Sequence, residues 1–137
     1  MSTPLSTPPH ALTMRVLPVE LAVCRLEADG PLPAWVFHAE ARFFSVMRTP
    51  EETSVVCPVD DVPPSVTTAD KGWRALKVDG PLPLTMTGVT AKLTTPLASA
   101  GIPVFALSTY DTDYLLIKSE HLERAVSLLR TRFTVVE

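Results

Sequence analysis

The stretch TGVTAKLTTPLASAGIPVFALSTYDTDYLLIKSEHLERAVSLL, residues 87–129, decides the fold. Its first part carries Val89, Leu93 and Leu97 four residues apart, a helical stripe. Thr87 suits the N-cap of that helix, and Gly101 stands where a left-handed C-terminal residue belongs. The expected helix spans about 87–100, with a kink or break near Pro96, because an interior proline costs about 3 kcal/mol. IPVFALSTY follows and is apolar on both faces, which predicts a strand buried inside a sheet. DYLLIKS, residues 113–119, reads as a second strand, and the polar residues between the two form a hairpin turn. SEHLERAVSLLRTR then shows Leu122, Ala125, Val126 and Leu129 at amphipathic spacing, with Ser119 as a cap. Glu120 and Glu123 favour the N-terminal end of its dipole, and Arg124, Arg130 and Arg132 lie toward the other end.

Working outward, WRALKV (73–78) supplies a strand before the first helix and FTVVE closes with another. The order is β-α-β-β-α-β, a ferredoxin-like pattern in the α+β class. The pentapeptide DGPLP occurs twice, at residues 29–33 and 79–83, each time after an expected strand. The first strand is VLPVELAVCRL, residues 16–26, with Pro18 near its start. AWVFHAEA has room for at most two helical turns. FFSVMRT and TSVVCPV around PEE then repeat the later hairpin, so that RTPEETSVV aligns with STYDTDYLL. The first half is therefore a shortened copy of the second. The expected organisation is a flexible tail at 1–13, a shortened repeat at 14–70 and a full repeat at 71–137.

The 137 residues fit one compact domain or two small ones sharing a core. Hydrophobic residues make up 46% and charged residues 20%, which suffices for a core. A net charge of −3 without a basic stretch argues against nucleic acid. The apolar runs are far shorter than the roughly 20 residues a membrane helix needs. MSTPLSTPPH has no apolar h-region, so the expected location is the cytoplasm. Cys24 and Cys57 lack a CxxC spacing and read as buried thiols. His10, His38 and His121 are scattered, so no metal site, cofactor or catalytic group is expected. The adjacent acids Asp60 and Asp61 suit a solvated connector better than acid/base chemistry.

The segments GVTAKLTTPLASAGIPVFALSTYDTDYLLIK and EHLERAV resemble the ACT domain, in the branch of bacterial tandem-ACT proteins and the CASTOR arginine sensors. The likeness covers Trp73 to about Val136 well and the first copy loosely. It implies a ligand-binding regulatory module with an amino acid held at an interface between domains, and no enzyme. By that resemblance Gly88, Thr109, Tyr110 and Asp113 surround the ligand, and adjacency extends the set to Val89, Asp111 and Thr112. On the residues alone, Asp111 and Asp113 are either hydrated loop acids or acceptors for a ligand ammonium or guanidinium. Gly88 either allows a tight approach or opens a carboxylate site at the helix start. The alternative function is a structural, oligomer-forming module that keeps no ligand. Open sheet edges predict a homo-oligomer in either case.

Overall fold

A computed structural model describes residues 12–37, 43–80 and 88–137. The tail, Thr87, His10, His38 and the second DGPLP from Pro81 onward lie outside these residues. The chain divides into two compact units. One comprises residues up to Pro18 together with Arg74–Glu137, and the other comprises Val19–Trp73.

In the first of these, the elements are the start of β1 (Thr13–Leu26), the end of β4 (Ala69–Val78), α1 (Val89–Ser99), β5 (Phe105–Ser108), β6 (Asp113–Lys118), α2 (Ser119–Leu129) and β7 (Thr134–Val136). From β4 onward the order is the expected β-α-β-β-α-β, and the class is α+β. The strands lie in the order β7-β1-β4-β6-β5. β7 runs parallel to β1, with Thr13↔Thr134 and Arg15↔Val136 paired, and β5 runs antiparallel to β6. The Asp79 N–H donates to the Thr13 carbonyl at 2.8 Å, and Arg15 forms an ion pair with Asp79 at 2.8 Å. The start of β1 therefore stands between β7 and β4.

The core of this unit gathers Met14, Leu76, Val78, Leu93, Leu97, Leu115, Ile117 and Leu129, with Val89, Ile102 and Phe133 at its margin. The α1 stripe of Val89, Leu93 and Leu97 is buried as expected. The helix runs through Pro96 without a break and ends in a Schellman motif. The Ile102 N–H bonds to the Leu97 carbonyl at 2.9 Å and the Gly101 N–H to the Ala98 carbonyl at 3.0 Å. Gly101 has φ 75°, and a Cβ there would meet nothing within 4 Å. The strain in Gly101→Ala is then purely conformational, and the variant should lose about 1–2 kcal/mol. A denaturant melt that left its midpoint unchanged would contradict this.

Three sequence expectations are corrected here. β5 is not an interior strand: it ends the strand order and pairs with β6. Ile102 belongs to the helix cap, Pro103 is exposed, and the strand starts only at Phe105 with Ala106 exposed. Ser119 is not the cap of α2 but its first helical residue. Lys118 is at the cap in extended backbone, and no side chain bonds there. Arg124 also serves a different end from the expected one, since its guanidinium donates to the Ala100 carbonyl at 2.7 Å and satisfies the C-terminus of α1.

The other unit holds the remainder of β1, β2 (Ser45–Arg48), β3 (Thr53–Pro58) and the start of β4, in the order β2-β3-β1-β4. A single 3-10 turn at Ala34–Phe37 stands where the full repeat has α1. The core collects Ala22, Cys24, Val36, Val55, Cys57 and Val62. Both cysteines are free and buried. A hydrogen bond between them holds the pKa of the Cys24 thiol below its ordinary value and pushes that of Cys57 up, and burial raises Cys57 further.

The two hairpins match in detail. Ser45↔Val56 through Arg48↔Thr53 pair in one, and Phe105↔Leu116 through Ser108↔Asp113 in the other. Each turn opens on a threonine. The Thr49 N–H donates to the Glu52 carbonyl and the Thr109 N–H to the Thr112 carbonyl, both at 2.8 Å. Each threonine hydroxyl accepts the N–H three residues on, at 3.2 Å in both cases. The alignment of RTPEETSVV with STYDTDYLL is thus a conformational identity as well.

Candidate functional site

Gly88 opens α1 with φ 77° and no side-chain cap, and its carbonyl accepts the Lys92 N–H at 3.0 Å. The intrahelical ladder begins there, so the N–H groups of Val89, Thr90 and Ala91 receive no acceptor from the helix itself. Such a helix start favours negative charge. A glycine suits it because left-handed backbone strains other residues. The Val89 side chain points into the core, leaving only its backbone for the site.

Asp113 begins β6, opposite Ser108. The Ser108 hydroxyl donates to its Oδ1 at 2.8 Å, and the Thr90 hydroxyl reaches its Oδ2 at 3.4 Å. Thr90 therefore links the first turn of α1 to the base of the hairpin. The structure brings Gly88, Val89 and Asp113 together, with Thr90 and Ser108 as members that the sequence reasoning missed. The available signal was register: Ser108 is the cross-strand partner of Asp113 on the near side of the turn, and Thr90 follows Gly88 by half a turn.

The remaining candidates sit on the turn itself. Thr109 and Thr112 close it through the bonds already described. Thr112 is buried, and its hydroxyl donates to the Val78 carbonyl, pinning the turn to β4. Asp111 is exposed, and Tyr110 is 80% exposed. These two share the turn with Asp113 but not its hydroxyl donors. An open groove of about 530 Å³ lies in the other unit, between Arg25, Glu52, Ser54 and Lys71, and none of the seven candidates lines it. Among the described residues no cluster of side chains suited to a metal occurs, and no helix is long and apolar enough to cross a membrane.

Chemically, the arrangement offers backbone donors on one side and a carboxylate on the other, bridged by the Thr90 hydroxyl. It has no nucleophile–base pair. A group with a negative and a positive end fits it better than a reacting bond.

Comparison with known proteins agrees with this architecture. The sequence pattern of the ACT domain matches residues 68–131, and that of an N-terminal domain matches residues 20–65. The human protein CASTOR3P is 32% identical over 107 residues, covering 69% of this chain and 66% of the relative. The cytosolic arginine sensor for mTORC1 subunit 1 of Bos taurus is 27% identical over 107 residues, covering 71% of this chain and 32% of the relative. The chain thus spans about a third of the length of that arginine sensor. A solved structure of a protein from Agrobacterium tumefaciens superposes with a TM-score of 0.84 at 33% identity, covering 95% of this chain and 94% of that one. With its matched pattern, its βαββαβ order and these relatives, the chain belongs to the ACT-domain family.

Proposed function

We propose that this chain is an amino-acid-sensing regulatory protein whose ligand seats between the start of α1 and the base of the β5–β6 hairpin. The observation that carries this reading is the Thr90–Asp113 contact, which sets a helix N-terminus beside a carboxylate. An α-amino acid has the complementary charges. Its carboxylate takes the backbone N–H groups that follow Gly88, at Val89 and Thr90, and a cationic group takes Asp113. Thr109, Tyr110, Asp111 and Thr112 frame the mouth of the site. The relatives named as arginine sensors make arginine the first ligand to test. An arginine guanidinium also matches a carboxylate with two oxygens in bidentate fashion.

Calorimetric titration of the purified chain with each amino acid tests this reading. Saturable binding of at least one, strongest for those with a cationic side chain, is the expected result. Heats indistinguishable from dilution for all of them, with the protein folded, would overturn it.

The open ends of the strand orders bear on assembly. β2 and β5 each terminate an order, and Met47 on β2 is 67% exposed. Terminal strands of this kind are templates for pairing with another chain. We expect a homo-oligomer, in which a second copy completes the ligand's enclosure, so that binding is read out as association. Light scattering across a concentration series should give a mass of at least two chains. A constant single-chain mass at the highest concentration would refute it.

A further inference from the structure

The matched hairpins make their flanking residues correspond: Arg48 with Ser108, and Thr53 with Asp113. The two DGPLP segments likewise make Gly30 the counterpart of Gly80. In the full repeat, the positions beside the turn hold a hydroxyl and a carboxylate. In the shortened repeat the same positions hold a guanidinium and a hydroxyl. The acceptors are neutral, and the cation is a side chain of the protein.

That cation is Arg48. Its Nε–H donates to the Thr53 Oγ1 at 2.7 Å, and its Nη1 donates to the Gly30 carbonyl at 2.9 Å. Cross-strand pairing accounts for the first bond, because Arg48 and Thr53 are opposite each other. It does not account for the second, which ties the hairpin to the segment after β1. The equivalent segment after β4 leads into Gly88. A planar guanidinium is the side chain able to serve two separate acceptors in fixed directions. Gly30 holds φ 93° and Thr53 is fully buried, so the backbone and the hydroxyl are both constrained around it.

We infer that the shortened repeat carries a counterpart of the ligand site that is closed in cis, with the Arg48 guanidinium standing where the full repeat takes the cationic group of its ligand. The correspondence rests on the reading of the Gly88–Asp113 site given above. Such an occupant is covalently attached and brings no carboxylate to be held. It also sets the stoichiometry at one amino acid per chain. Emptying the position should expose a site for a small planar cation.

The test is an NMR titration of the full chain with methylguanidinium, with urea as the uncharged planar control, in wild type and in Arg48→Ala. The amides of Gly30 and Thr53 are followed. In Arg48→Ala these amides should shift saturably, several-fold more than in wild type, and urea should not reproduce the effect. Arg48→Lys should fall between, since an ammonium is a point charge that cannot span both acceptors. A folded Arg48→Ala without site-specific shifts would sink the inference, and so would equal shifts in wild type. Unfolding of Arg48→Ala would sink it too, because Arg48 is exposed and a mere occupant is dispensable for folding. Failure of the amino-acid reading would appear instead at the Gly88 and Asp113 amides with amino-acid titrants, so the two failures are distinguishable.

Discussion

Asp113→Asn should weaken amino-acid binding by about 10- to 100-fold while leaving the chain folded. A hydrogen bond to a charged group contributes about 1.5–3 kcal/mol, and each 1.4 kcal/mol is a factor of ten in affinity. Asparagine preserves the size of the side chain and one oxygen, so it can still accept from Ser108 or Thr90. It lacks the charge and the second acceptor that a ligand cation needs. The companion variant Asp111→Asn changes a fully hydrated acid on the same turn and should alter affinity by less than about threefold. The pair separates a specific carboxylate from the general negative potential of the hairpin. Equal losses in both variants, measured calorimetrically with arginine, would assign the effect to long-range charge and remove Asp113 from the site.

Leu93→Ala has the largest expected effect on stability, about 2–5 kcal/mol. Leu93 is completely buried at the middle of the α1 stripe, between Val89 and Leu97 and within the same cluster as Leu115, Ile117 and Leu129. Removing its side chain loses transfer free energy and leaves a cavity. That cost is a large share of the roughly 5–15 kcal/mol that stabilises an ordinary domain. The control is Thr94→Ala at a half-buried position of the helix, where the Thr94 hydroxyl bonds back to the Thr90 carbonyl at 2.8 Å. It should change stability by about 0.5 kcal/mol or less. Urea melts measure both, and a Leu93→Ala midpoint no lower than that of Thr94→Ala would show that the cluster does not carry the unit.

The parts of the fold that could be read in the sequence are those fixed by local signals. The α1 stripe, the left-handed Gly101 and both hairpin turns each depend on residues within a few positions of one another. The errors arose where a distant partner decides. Ile102–Leu107 is apolar throughout, and an apolar run looks alike in an interior strand and in a terminal strand preceded by a helix cap. What distinguishes them is that, among the described residues, β5 ends the strand order. The partner of β7 was hidden for the same reason. The β-α-β-β-α-β order says nothing of a strand from the far end of the chain entering beside β4. At the candidate site, Gly88 and Asp113 came from resemblance. Ser108 and Thr90 needed the three-dimensional register, because a lone hydroxyl carries no pattern of its own.

The parallel pairing of Thr13–Arg15 with Thr134–Val136 has a consequence for synthesis on the ribosome. Translation proceeds from the N-terminus, so the residues that begin β1 are made more than a hundred positions before their parallel partner emerges. During that interval one side of β1 waits unpaired. The contacts of the Val19–Trp73 unit, by contrast, lie within a single continuous segment and can form while the remainder is still being made. Of the two units, the one that contains Gly88 and Asp113 therefore closes second, once β7 has emerged to pair with β1.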